Sequence, residues 1–192
     1  LVFLGDSITE AWGSAGREDW KTRFEPRGGV NAGIGGDRTE HVLWRLDHGL
    51  LDAMRASKTR LVVVMIGTNN SNGGDHSAAE IAEGIAAITD RLTVQGGDSQ
   101  VLLLGVFPRG ERVGFQRRKI AEVNALISRL NGSMAGRVHY MDIGAKFLDK
   151  DGWAGSIPHY LMPDHLHLST AAYTLWADAV EAKIAELLGE PK

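Results

Sequence analysis

Short, nearly continuous apolar runs alternate along the chain with longer stretches of helical period. Leu1-Val2-Phe3-Leu4 is the first run and stops at Gly5, and a weaker one lies at 29–31. Leu61-Val62-Val63-Val64-Met65-Ile66 is the strongest and stops at Gly67; Val101-Leu102-Leu103-Leu104 and 138–143 follow. Runs without alternating polar positions suit parallel strands covered on both faces. Between them the period changes. The stretch 39–54 gathers Val42, Leu43, Leu46, Leu50 and Leu51 on one side, and 77–92 gathers Ile81, Ile85, Ile88 and Leu92. Ile120, Val123, Ile127 and Leu130 repeat the pattern, and Tyr173, Trp176, Val180, Ile184 and Leu187 complete it. These are amphipathic helices. Ser169 is the expected N-cap of the last one, and Thr39 of the first. Trp12, Trp20 and Trp44 are expected in the core. Strict strand–helix alternation predicts an α/β fold of three layers around a parallel sheet. No repeat, low-complexity tract or Pro/Ser linker divides the chain, so 1–192 reads as a single domain.

Composition removes several classes. The 192 residues include no cysteine, which excludes a disulfide scaffold, a Cys-zinc site, an iron–sulfur cluster and a cysteine nucleophile. Lys plus Arg is 21 against 24 Asp plus Glu, a net charge of −3 with the signs interspersed. The longest basic block, Gln116-Arg117-Arg118-Lys119, lies in a helical stretch and reads as a solvated face, so no nucleic-acid partner is expected. No apolar stretch reaches the ~18–20 residues that span a bilayer, so no stable membrane insertion is expected either. The chain opens on Leu inside a strand pattern and reads as trimmed at its start, which leaves the compartment unread.

In a parallel sheet of this kind, ligands bind beyond the carboxyl ends of the strands. Those ends carry Gly5-Asp6-Ser7-Ile8-Thr9, then Asn31-Ala32-Gly33-Ile34-Gly35-Gly36-Asp37, Gly67-Thr68-Asn69-Asn70 and Phe107-Pro108-Arg109-Gly110. A long loop after the fifth strand ends in Asp164-His165-Leu166-His167. One sheet edge thus collects the parts of an acyl-transfer site. A serine hydroxyl needs a base, an imidazole serves, and a carboxylate holds the imidazole's tautomer. Asp164 and His167 are three residues apart, so one helical turn would bring them to one face. The Ser7 and Gly36 amides and the Asn69 side chain would supply oxyanion donors.

These four blocks, in this order, resemble the SGNH (GDSL) hydrolase family over nearly the whole chain. The stretches 31–37, His41-Val42-Leu43-Trp44-Arg45-Leu46, Gly67-Thr68-Asn69-Asn70 and Pro108-Arg109-Gly110-Glu111 are similar to the platelet-activating-factor acetylhydrolase subfamily within it. The resemblance implies a flavodoxin-like sheet of five parallel strands, no metal or other cofactor, and hydrolysis of short-chain, acetyl-type esters through an acyl-enzyme. It implies Ser7 as nucleophile with Asp164 and His167, and Ser7, Gly36 and Asn69 as the oxyanion hole. It places Ile8, Thr68 and Leu166 at a small acyl pocket, and it raises a homodimer as the expected assembly.

Other readings stand beside these. A carbohydrate O-acetylesterase and a thioesterase use the same machinery; a ligand-binding protein on the same fold would not need it. Arg109 either touches the substrate or fixes its loop. Trp153, Tyr160 and Met162 either line the leaving-group side or anchor the loop before the triad. His76, His159, Asp164, His165 and His167 include enough donors for a metal in principle, and His165 reads as a loop histidine. Asn31 and Asp37 are expected to organise the second loop, and Asp6 to tie down the nucleophile turn. No Gly-x-Ser-x-Gly is present, which argues against the α/β-hydrolase elbow, and Gly33-x-Gly-Gly is only a partial dinucleotide fingerprint. Gly97-Asp98-Ser99 repeats the tripeptide of Ser7, but it precedes the fourth strand and is expected to be an inert surface turn.

Overall fold

A computed structural model of the chain describes residues 1–149 and 152–190. Five strands form one sheet: β1 (Val2–Gly5), β2 (Val30–Gly33), β3 (Leu61–Met65), β4 (Gln100–Leu104) and β5 (Val138–Met141). All pairs are parallel and the order is β2-β1-β3-β4-β5. This is the flavodoxin-like order, whose direction reverses between β1 and β3 and opens a crevice at their carboxyl ends.

Alternate strand residues feed two different cores. Val2, Leu4, Val62, Val64, Val101 and Leu103 face an aliphatic layer. Its other side comes from α2 (Thr39–Arg45), α3 (Leu51–Ala56), α4 (Ala78–Asp90) and α5 (Phe115–Ile127). Phe3, Leu61, Val63, Met65, Leu102 and Leu104 face the opposite layer, built from the first turn α1 (Ser7–Glu10), the residues after it and α6 (Thr170–Leu188). That layer is aromatic. Trp12 lies 4.7 Å from Tyr173 and 4.9 Å from Trp176, ring centre to ring centre, and Phe107 lies 4.9 Å from Trp176. Aromatic pairs at such spacings add about 0.5–1.5 kcal/mol each beyond the area they bury. Among the described residues no helix is long and apolar enough to cross a membrane.

The three layers agree with the periodicity, and several local expectations do not. The weak run at 29–31 is a strand that begins at Val30 and runs on to Gly33, and β5 stops at Met141. The stretch 39–54 is not one helix: it breaks at His48–Gly49, where Gly49 takes φ +105°. Thr39 is the first residue of α2 rather than its cap, and its amide donates to Asn70 Oδ1 at 3.0 Å. Ser169 does cap α6. Trp20 is half-buried and Trp44 is 61% exposed, so only Trp12 of the three is a full core residue. Ser99 is buried, donating to the carbonyls of Thr59 and Gly96, while Gly97 and Asp98 are exposed at the amino end of β4. The basic block is not a solvated face throughout. Arg117 and Lys119 are buried and only Arg118 stands in solvent. The Lys119 ammonium donates to the carbonyls of Gly73 and His76 at 3.0 and 2.7 Å.

Two stability predictions follow from this packing. Trp176→Ala removes the ring that links Trp12, Tyr173 and Phe107, and is expected to cost about 3–5 kcal/mol in a urea titration. Asp6 caps α1 from full burial: its Oδ1 accepts the Ile8 amide at 3.0 Å and its Oδ2 has no partner. Burial pushes this carboxyl from 3.8 up to about 7, against the pull of the Ile8 amide and of nearby His167. The folded state therefore holds the Asp6 proton more tightly than the unfolded chain does. The associated stability is complete below pH 3.8 and is lost as pH rises through about 7. Asp6→Asn is expected to abolish that fall between pH 4 and 8 in urea midpoints; an identical pH slope in both proteins would refute it.

Candidate active site

Ser7 is the first residue of α1, directly after β1. As an N-terminal helical residue, its amide has no acceptor within the helix. The turn that presents it is wedged between strands. A Cβ on Gly33 would stand 2.2 Å from the Glu10 nitrogen, so β2 and α1 meet at a distance only glycine permits. From the other side the Tyr173 hydroxyl donates to the Ile8 carbonyl at 2.5 Å, joining α6 to α1. Burial and the nearby Asp6 carboxylate push that phenol's pKa up, which keeps it a donor.

The loop before α6 brings the base. Ser7 Oγ lies 3.0 Å from His167 Nε2, and His167 Nδ1 lies 2.6 Å from Asp164 Oδ2. The neutral ring facing a carboxylate carries its proton on Nδ1 and leaves Nε2 to accept from the serine. Asp164 and His167 do not share a helical turn. Asp164 Oδ1 instead accepts the Leu166 and His167 amides at 3.0 and 2.7 Å, and His165 bridges the two partners at φ +56°. Desolvation pushes the Asp164 carboxyl up, but the hydrogen bonds from the His167 ring and from these two amides outweigh it and hold the pKa below its usual value. The Asp164 and His167 side chains keep 56% and 45% of their surface, so the site opens to water.

The three candidate oxyanion donors lie on the segments that follow β1, β2 and β3. Asn69 Nδ2 donates to the Asp37 carbonyl at 2.9 Å, which orients the amide and leaves its second hydrogen unused by that bond. Gly36 takes φ +82° in a turn closed by the Asp37 amide on the Ile34 carbonyl. The Ser7 amide is the third. Asn31 and Asp37 organise this region as the sequence suggested: Asn31 Oδ1 accepts the Gly33 amide and its Nδ2 donates to the Glu10 carbonyl. Asp37 pairs with Arg45 at 2.5 Å, and Arg45 also donates to the Ala32 carbonyl at 2.9 Å.

Arg109 is turned to its own loops. It donates to the Thr68 carbonyl and to Asn72 Oδ1, both at 3.0 Å. Ile8 and Thr68 are buried and Leu166 is half-buried. Met162 is wholly buried in the aromatic layer, which takes it away from any leaving group. Trp153 packs against both cores, and Tyr160 is exposed. Among the described residues no three His, Asp or Glu side chains are grouped to hold a metal.

Two residues escaped the sequence reading. Arg45 is one. Arg117 is the other: its guanidinium donates to the carbonyls of Arg109, at 3.1 Å, and of Gly110 and Gly155. The Gly110 amide in turn donates to the His165 carbonyl at 2.8 Å. Arg117 thus holds the loop after β4, and through it the loop that carries Asp164 and His167. Helical phase carried the signal, because Arg117 sits three residues before Ile120 and Lys119 four before Val123.

Residues 3–175 match the GDSL-like lipase/acylhydrolase family. The platelet-activating factor acetylhydrolase IB subunit alpha1 of Homo sapiens is 36% identical over 192 residues, which covers 99% of this chain and 77% of that protein. Among solved structures, a GDSL-like lipase from Bacteroides thetaiotaomicron superposes with a TM-score of 0.75 at 20% identity, covering 96% of this chain and 87% of that one. The acetylxylan esterase Axe2 from Geobacillus stearothermophilus superposes with a TM-score of 0.70 at 17% identity, covering 99% and 94%. These two likenesses show a shared fold. The chain belongs to the GDSL-like lipase/acylhydrolase family and is a carboxylic ester hydrolase.

Proposed function

We propose that a single domain hydrolyses short-chain esters, acetyl above all, with Ser7 as nucleophile, His167 as general base and acid, and Asp164 as the group that orients His167. One observation carries this reading: Ser7 Oγ, His167 and Asp164 form an unbroken hydrogen-bonded line of 3.0 and 2.6 Å. Ser7 Oγ attacks the ester carbonyl as its proton passes to His167 Nε2. The oxyanion is held by the amides of Ser7 and Gly36 and by Asn69 Nδ2. The C–O bond to the alcohol breaks as His167 returns the proton to the departing oxygen, leaving acyl-Ser7. Water then attacks the acyl carbon as His167 takes its proton, and the bond to Ser7 Oγ breaks as His167 returns that proton to the serine, which releases the carboxylic acid. Asp164 stays ionised throughout, in keeping with its lowered pKa.

The restriction to a small acyl group follows from the side chains assigned to that side of the site, Ile8 and Thr68, which are buried, and Leu166, which is half-buried. It accords with the acetyl esters named for the human and Geobacillus proteins. Size selection of this kind is modest, since one methylene is worth about 1–3 kcal/mol. Arg109, bonded to the Thr68 carbonyl, acts in this reading by holding the acyl-side loop. The homodimer belongs to the same proposal; Val30 and Ile34, 54% and 45% exposed at the β2 edge of the sheet, are apolar surface it would cover.

Ser7→Ala is expected to abolish hydrolysis of p-nitrophenyl acetate by the folded protein, and turnover at the wild-type rate would end the proposal. Asn69→Ala is expected to lower kcat by about 10²–10³ with a smaller effect on KM. An unchanged kcat would remove Asn69 from the oxyanion hole.

A further inference from the structure

Beside the oxyanion donors lies a cleft of about 370 Å³ lined by Gly35, Gly36, Asp37, His41, Trp44 and Arg45. One lining residue, Gly35, is a neighbour of Ser7: a Cβ on it would stand 3.9 Å from the Ser7 Cβ and 3.0 Å from the Glu10 carboxylate. Trp44 keeps 61% of its surface exposed. Its ring is nevertheless held. It stacks on His48 with centres 4.2 Å apart and planes 14° from parallel, and His48 Nδ1 lies 2.7 Å from the Trp44 carbonyl. An exposed indole already fixed in place loses little side-chain freedom when a ligand covers it.

The polar groups around it are also fixed. His41 Nδ1 accepts the Arg38 amide at 3.1 Å, so the neutral ring carries its hydrogen on Nε2. Arg45, paired with Asp37 at 2.5 Å, is the charged wall. The cleft thus offers one flat apolar face, N–H donors beside it, and open access to water. A hydrocarbon stem asks for apolar walls on several sides, which this lining does not provide. A pyranose ring presents a flat C–H face and a rim of hydroxyls, and matches both features.

We propose that this cleft is the leaving-group subsite and that it takes the sugar ring of an O-acetylated saccharide, with the ring face on Trp44 and a hydroxyl oxygen accepting from His41 Nε2. The proposal rests on the reading of Ser7 as nucleophile. Its test compares kcat/KM for a monoacetylated methyl xyloside with kcat/KM for ethyl acetate, which has no ring to stack. The measurement is made on the wild type, Trp44→Ala and Trp44→Phe. The sugar-to-ethyl ratio is expected to fall at least tenfold in Trp44→Ala, mainly through KM, and to recover most of that loss in Trp44→Phe. A ratio that does not move overturns the subsite. So does a change in assembly mass on Trp44→Ala with both esters losing equally, which would make the indole an interface between copies. A wild type active on ethyl acetate and inert on the xyloside overturns the subsite alone, and one inert on both overturns the esterase reading with it.

Discussion

A hydrogen bond of 3.0 Å between Ser7 and His167 joins groups 160 residues apart, and the chemistry of the site depends on it. Neither partner is held by its own element alone. Ser7 stands on a single helical turn, and His167 on a loop with nearly half its ring in solvent. What sets their separation is the aromatic layer behind them. Trp12 follows α1, Tyr173 and Trp176 lie on α6, and the Tyr173 hydroxyl binds the Ile8 carbonyl one residue from Ser7. Burial of these rings fixes α6 against α1, and the loop that carries His167 enters α6 three residues later, at Thr170. Packing made between the two ends of the chain therefore fixes a distance that hydrogen bonding alone would leave loose.

The rest of the site divides its labour between buried cations and exposed reactive groups. Arg45 and Arg117 satisfy carbonyls and hold loops, Arg45 beneath the Gly36 turn and Arg117 beneath the His165 turn. Burying such groups is costly unless their donors are used; Arg117 uses its guanidinium on three backbone oxygens, while Arg45 divides its own between the Ala32 carbonyl and the Asp37 carboxylate. The working side chains remain open. Asp164 and His167 keep 56% and 45% of their side-chain surface, so the base of the proposed reaction is open to water in the structure as it stands.

Much of this was legible in the residues. Apolar runs gave the strands, and the groups following them gave Ser7, Gly36, Asn69, Asp164 and His167 at one edge, where they lie. Position also separated Ser7 from Ser99, although the second serine is buried rather than on a surface turn. Strand order was not in the pattern, because a parallel crossover is equally readable to either neighbour; it came from resemblance. Local geometry was the other blind spot. Three residues between Asp164 and His167 suggested a helical turn, yet an Asx-type turn with His165 at positive φ does the work. Charged residues on an apolar stripe, Arg117 and Lys119, were read by type when phase pointed inward. Trp44 was read by type as core, although it sits two residues from each of the buried Val42 and Leu46 and so on the outer face of α2.

The central claim is that the hydroxyl of Ser7 is the activated nucleophile. Reaction with a fluorophosphonate followed by peptide mass spectrometry addresses it without any choice of substrate. One stoichiometric adduct is expected, carried by the peptide containing Ser7, with Ser99 unlabelled despite its identical Gly-Asp-Ser setting. An adduct on another residue, or full inhibition of ester hydrolysis with Ser7 unmodified, would contradict it.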